Sequence, residues 1–147
     1  MKLDPDCVRD LMLFCEDNTY IKTEEVGNFT CASYHVLYVD SMRLVPPLNK
    51  YDTGALIYHI IQLSESGYLE TDFHFDPITN FQHNSLPSIY YVTPKGHEFI
   101  AAIEGKTQWE KTSKLLRSFG AVSLTVIETI SKGIASAAIE QLLTQKA

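Results

Sequence analysis

Apolar residues recur with a helical period at the start of the chain. Val8, Leu11, Met12 and Cys15 stand at i, i+3, i+4 and i+7, while Arg9, Asp10 and Glu16 fall off that stripe. Asp4 before Pro5 supplies an N-cap and a residue whose fixed φ and missing donor suit the first helical position. A helix is therefore predicted from Pro5 to about Asp17-Asn18. Residues 19–33 are mixed and turn-rich and show no readable period. Tyr34 to Val39 (YHVLYV) is aromatic and β-branched and reads as a short strand. Asp40 and Ser41 are caps for a short helix over Met42 to Val45, which Pro46-Pro47 must stop.

The pattern is clearest from Thr53 to Ser66. Asp52 or Thr53 caps it, Leu56, Ile57, Ile60 and Leu63 form its apolar face, and Gly67 is a left-handed stop. Leu69, Thr71, Phe73 and Phe75 then alternate with Glu70, Asp72 and His74, the period of a strand with one buried face. A polar loop, Asp76 to Pro87, leads to a returning strand at Ser88 to Val92. Thr93-Pro94 opens another helix, with Phe99, Ile100 and Ile103 inward and Gly105 at its end. A helix holding Trp109, Leu115, Leu116 and Phe119 follows, then a long one from Ser123 to Leu143 whose apolar surface exceeds a single stripe.

Helix, short strand, short helix, helix, strand, long loop, strand is the order of a winged helix, a helix-turn-helix with a β-hairpin wing. The expected class is α+β: a winged-helix-like domain over residues 1–105, and a C-terminal helical extension over 106–147 that packs on it or forms a dimer seam.

The chain of 147 residues is the size of one globular domain, and its apolar content of 45% with 20% charged residues is ordinary for one. These values exclude disorder and collagen, and the charge-interrupted aliphatic runs argue against a membrane span. Cys7, Cys15 and Cys31 form an odd set with no CxxC pair. With no export leader in view, a cytoplasmic location is expected and the Asn28-Phe29-Thr30 acceptor pattern carries no meaning. Cys7 and Cys15, eight apart on the helical pattern, read as small buried hydrophobes.

Four segments carry a resemblance. MKLDPDCVRDLML at the start, LIYHIIQLSESGYLE from Leu56 to Glu70, VTPKGHEFI from Val92 to Ile100, and Trp109-Glu110-Lys111-Thr112 resemble an uncharacterised family carried by phages and prophages, domain of unknown function 2513. The resemblance implies a winged-helix-like fold and a mobile-element origin, and it supplies no catalytic residues.

Site chemistry is sparse. His35, His59, His74, His83 and His97 never stand at i and i+4 of one another, so the spacing supports no metal site. No nucleophile elbow, phosphate-cradling loop or HExxH pattern occurs, and neither an enzyme nor a cofactor is expected. His97-Glu98 sits in a first helical turn, where Gly96 permits close backbone approach and packing suffices as explanation. His59 and Gln62 share the less apolar face of the third helix. They are candidate contacts, beside the plainer reading of a locally bonded imidazole.

Charge decides between partners. Residues 53–100 hold one basic residue, Lys95, against Glu65, Glu70, Asp72, Asp76 and Glu98. Phosphate contacts dominate nucleic-acid affinity and need Lys or Arg, which the segment Thr53 to Ser66 lacks. Gln62, His59 and Asn84 could read bases only without that anchor. A DNA-binding regulator reading through helix 53–66 thus stands second. Lys111, Lys114 and Arg117 remain an anion-contact candidate, beside the plainer reading of a solvated helix face. Protein association ranks first: Tyr34, Tyr38, Tyr51, Tyr58, Tyr68, Tyr90 and Tyr91 exceed what one core needs, and tyrosine favours interfaces. The expected contact face is Tyr58, His59, Gln62 and Tyr90. Leu124, Ile127, Ile130, Gly133, Ile134 and Ala137 are expected either to pack on the N-terminal helix or to form a homodimer seam.

Overall fold

Asp4 opens the first helix as the sequence requires. In a computed structural model describing residues 1–73 and 86–145, its carboxylate accepts from the Asp6 N–H at 3.0 Å and Pro5 occupies the first turn of α1 (Pro5–Asn18). Cys7, Val8, Leu11, Met12 and Cys15 are fully buried, so the predicted stripe is the face that enters the core. Burial also pushes the Cys7 and Cys15 thiols up to about 12, which makes them inert apolar packing groups.

After α1 the fold departs from expectation. The unreadable stretch is a hairpin, β1 (Ile21–Val26) and β2 (Phe29–Tyr34), turning at Gly27 with φ 62°. Tyr34 closes β2, so YHVLYV is not one strand. The chain breaks at His35-Val36, forms the two-residue β3 (Leu37–Tyr38), and Val39 already begins α2 (Val39–Met42). The short helix thus starts before Asp40 and ends before Val45; burial of Val39 and Met42 overrides the capping preference of Asp40.

A 3-10 turn at Leu48–Lys50 leads into α3 (Thr53–Glu65), where Asp52 accepts from the N–H groups of Gly54 and Ala55. Gly67, at φ 84°, is the left-handed stop. Strand β4 (Leu69–Thr71) buries Leu69 and Thr71 and exposes Glu70. Phe75, His74, His83 and Asn84 lie outside the described residues. Strand β5 (Ser88–Val92) pairs with both β4 and β3, giving the antiparallel order β3-β5-β4.

Three helices complete the chain: α4 (Pro94–Ile103), α5 (Lys106–Leu116) and α6 (Leu124–Gln145). Gly105 stands just past the end of α4, as expected, but does not cap it: its φ is −63° and it is the N-cap of α5. Instead the guanidinium of Arg9 donates to the carbonyls of Ile103 and Glu104, both at 2.8 Å, placing a cation on the negative end of α4. Arg9 also lies over the Trp109 ring, whose Nε1–H donates to Asp6. Trp109, Leu116, Leu124 and Ile127 thereby join the same buried cluster as α1, α3, α4 and the three-stranded sheet. Of the apolar residues assigned to this helix, Leu115 and Phe119 are about half exposed, and Phe119 lies past its end; Thr112 takes the buried position between Trp109 and Leu116.

Candidate functional site

The start of the chain, α3 and the α5–α6 connection enclose a groove of about 630 Å³. Tyr58 and Gln62 of α3 and its C-cap Ser66, at i, i+4 and i+8, belong to the lining. Lys2, Leu3 and Asp4 from the start of the chain, and Arg117, Phe119 and Val122 from the α5–α6 connection, share the lining. Two residues of the expected contact face, Tyr58 and Gln62, thus meet one of the expected anion contacts, Arg117. Tyr90 lies on β5 and is not part of the lining. Lys111 and Lys114 point to solvent from α5.

His59 does not belong to this surface. It is 2% exposed, and its ring is fully used inside the fold. The Asp4 N–H donates to Nε2 at 2.8 Å, so the ring proton sits on Nδ1, which donates to the Ala55 carbonyl at 2.7 Å. The sequence placed His59 on the less apolar side of α3. It is turned inward because the N-terminal segment crosses there and its backbone donor needs an acceptor. Tyr58, edge-on to the imidazole at 5.3 Å between centroids, covers it from the groove.

The outward face of α3 combines Ile57, Tyr58, Ile61 and Gln62, all half-buried, with the exposed carboxylate of Glu65. The helix itself carries no Lys or Arg, but Lys2 and Arg117 line the groove beside Tyr58 and Gln62. Lys95 is engaged elsewhere: its ammonium donates to the Ser66 carbonyl at 3.0 Å and lies over the Tyr68 ring.

A buried polar link fastens α6 to this body. The hydroxyl of Tyr68, a residue 1% exposed, donates to the Glu128 carboxylate, which also pairs with Lys132 at 2.8 Å. Burial pushes Glu128 up, but the bonds from Lys132 and Tyr68 outweigh it and hold the carboxyl below its ordinary value. Burial and the same carboxylate push the Tyr68 phenol well above the ordinary phenol range.

The α6 residues expected to make a seam divide between two environments. Leu124 and Ile127 are buried and Ile130 packs against the core, so these three face the chain's own body. Gly133 and Ala137 lie exposed on the other side, and Ile134 is half-buried between them. The buried stripe of Leu124, Ile127 and Ser131 continues past the body as Ala135, Ala138 and Leu142, flanked by Ile139 and Leu143. Ile139, Leu142 and Leu143 are 58–65% exposed. The sequence reading saw the excess apolar surface of this helix without locating its exposed part, and it missed the β1–β2 hairpin. Gly27-Asn28 between two six-residue runs was the available signal for the hairpin.

Among the described residues no group of three His, Cys, Asp or Glu converges as a metal site, and no helix is long and apolar enough to cross a membrane. No curated protein and no solved structure matches the chain. A family model does, over residues 2–123, ending just before α6. The protein belongs to the family described as hypothetical protein DUF2513.

Proposed function

We propose that this is a non-enzymatic regulatory or counter-defence protein of phage or prophage type, acting in the cytoplasm by binding another protein through a winged-helix scaffold. The order α1, β3, α2, α3, β4, β5 and the strand order β3-β5-β4 support the scaffold, because a winged helix interposes its last strand between the first two.

The observation that carries the partner class is the outward face of α3. In a DNA reader that helix meets phosphates and base edges, and Lys or Arg supplies the anchoring charge. Here it offers isoleucine, tyrosine, glutamine and a carboxylate and no Lys or Arg of its own, beside a groove walled by the α5–α6 connection to which only Lys2 and Arg117 bring positive charge. That mixture suits a protein surface, where half-buried aromatic and aliphatic groups desolvate at low cost. The exposed stripe of α6 adds a second apolar contact.

The test is a photoreactive amino acid in place of Gln62, irradiated in cells that carry the protein. A discrete cross-linked protein whose yield collapses on Tyr58→Ala supports the reading. Cross-links to nucleic acid overturn it in favour of the DNA-binding regulator.

A further inference from the structure

The β1–β2 hairpin stands clear of the core. All twelve of its strand residues are exposed, and its described side-chain anchors lie at the base, where Tyr34 stacks on Tyr91 and Tyr20 on His35. A two-stranded hairpin without a buried face is marginal in water, and its two outer edges are templates for further pairing.

The two edges differ. The two-residue turn at Gly27-Asn28 makes Val26 and Phe29 a hydrogen-bonded pair, and alternation then assigns Glu24 with Cys31, and Lys22 with Ser33, to the inner ladder. Thr30, Ala32 and Tyr34 therefore direct their N–H and C=O groups outward from β2. Strand β1 (IKTEEV) carries Lys22, Glu24 and Glu25, the charged side chains that guard an edge. Strand β2 (FTCASY) carries no charge, no proline and no bulge, and its register is unbroken over all six pairs.

We infer that the outer edge of β2 pairs antiparallel with the same edge of a second copy, giving a four-stranded sheet ordered β1-β2-β2-β1. A two-fold axis normal to the sheet sets residues of one face opposite each other, so the register centres on an even-numbered residue if the outward groups are to meet. Centring on Ala32 uses all three outward residues: Ala32 faces its own counterpart, and Thr30 faces Tyr34 of the second copy. This gives about six backbone hydrogen bonds. Small side chains meet at the axis, a β-branched residue meets an aromatic one on either side, and no charges are opposed. Because β1 is guarded, the assembly closes as a pair and does not run on as a fibre. This inference is independent of the α3 reading, which a monomer would leave intact.

The substitution Ala32→Pro tests it, since that N–H points away from β1 and its loss spares the hairpin ladder. Ala32→Lys is a second variant that guards the edge without touching the backbone. Light scattering at about 100 μM protein gives the mass, and amide exchange gives the edge. We expect twice 16.6 kDa for the natural chain and 16.6 kDa for both variants. Slowed exchange at Thr30, Ala32 and Tyr34 should occur in the natural chain, and for Thr30 and Tyr34 should vanish with the substitutions. A natural chain of 16.6 kDa, a dimer that survives both substitutions, or free exchange of those amides in the dimer overturns the inference.

Discussion

The backbone N–H of Asp4 donates to Nε2 of His59 across 55 residues of sequence, joining the N-cap of α1 to the inner face of α3. The residue that caps the first helix is thereby also held by the third, and the imidazole acts as a strut. Replacing His59 by Leu keeps the volume apolar but leaves a partly buried donor unpaired. The expected cost is about 2 kcal/mol, seen in calorimetry as a melting temperature lower by roughly 4–8 °C. Faster amide exchange at Asp4 should accompany it. An unchanged melting temperature would return His59 to the list of surface contacts.

A side chain at Gly96 has nowhere to go. A Cβ there meets the Tyr68 carbonyl oxygen at 2.2 Å and a Val92 methyl at 2.7 Å. Gly96→Ala must push α4 away from the turn after α3, at a cost of about 3 kcal/mol. Chemical denaturation measures it, with Gly133→Ala as control: nothing lies within 4 Å of that position, and alanine favours the helix.

Glu128 makes the attachment of α6 depend on pH. Its folded carboxyl titrates below the ordinary value of 4.5, so it contributes stability above that value and loses it as the pH falls through the folded one. Glu128→Gln should lower stability at pH 7 by about 1–2 kcal/mol. The difference from the natural chain should shrink as the pH is taken below 4.5. Urea midpoints at pH 7, 5 and 3 check the sign; a difference that grows on acidification contradicts it.

Thiol chemistry separates the three cysteines. Cys31 is exposed on β2, while Cys7 and Cys15 are buried. One thiol should react with a disulfide reagent in the folded protein and three in denaturant. Fast reaction of a second thiol under native conditions would show α1 to be less securely packed than described.

Legibility in the sequence followed the physics of each segment. Elements with one dry face and a capping residue were readable: α1 behind Asp4-Pro5, α3 between Asp52 and Gly67, and α4 behind Thr93-Pro94 all lie within a residue or two of their expected bounds. The hairpin was not, because its strands have no buried face and so no alternation of apolar and polar residues. The end of α4 was readable from Gly105, but not what closes it: the guanidinium of Arg9 does so, a contact 94 residues away along the chain. The candidate surface was half legible. Periodicity placed Tyr58 and Gln62 together, yet it could not show that the N-terminal segment crosses His59 and draws it inward. On α6 the small pair Gly133 and Ala137 suggested a seam, whereas the exposed apolar stripe lies on the opposite flank at Ile139, Leu142 and Leu143.

Truncation at residue 133 probes that stripe. The residues removed are mostly exposed, so the melting temperature should change by less than about 3 °C, whereas truncation at 123 also removes Leu124, Ile127 and Glu128 from the body and should unfold much of it. Loss of the Gln62 cross-link in the shorter truncation would extend the protein-binding surface onto α6.

Whether the face of α3 meets protein or DNA is decided most directly by titrating fluorescent duplex DNA with the purified protein at low and moderate salt. With Glu65 exposed, no Lys or Arg on α3 itself and only Lys2 and Arg117 in the adjoining groove, no saturable binding is expected up to about 10 μM protein at about 50 mM salt. Tight binding that weakens by orders of magnitude between about 50 and 200 mM salt, and is lost on Gln62→Ala, would contradict the account.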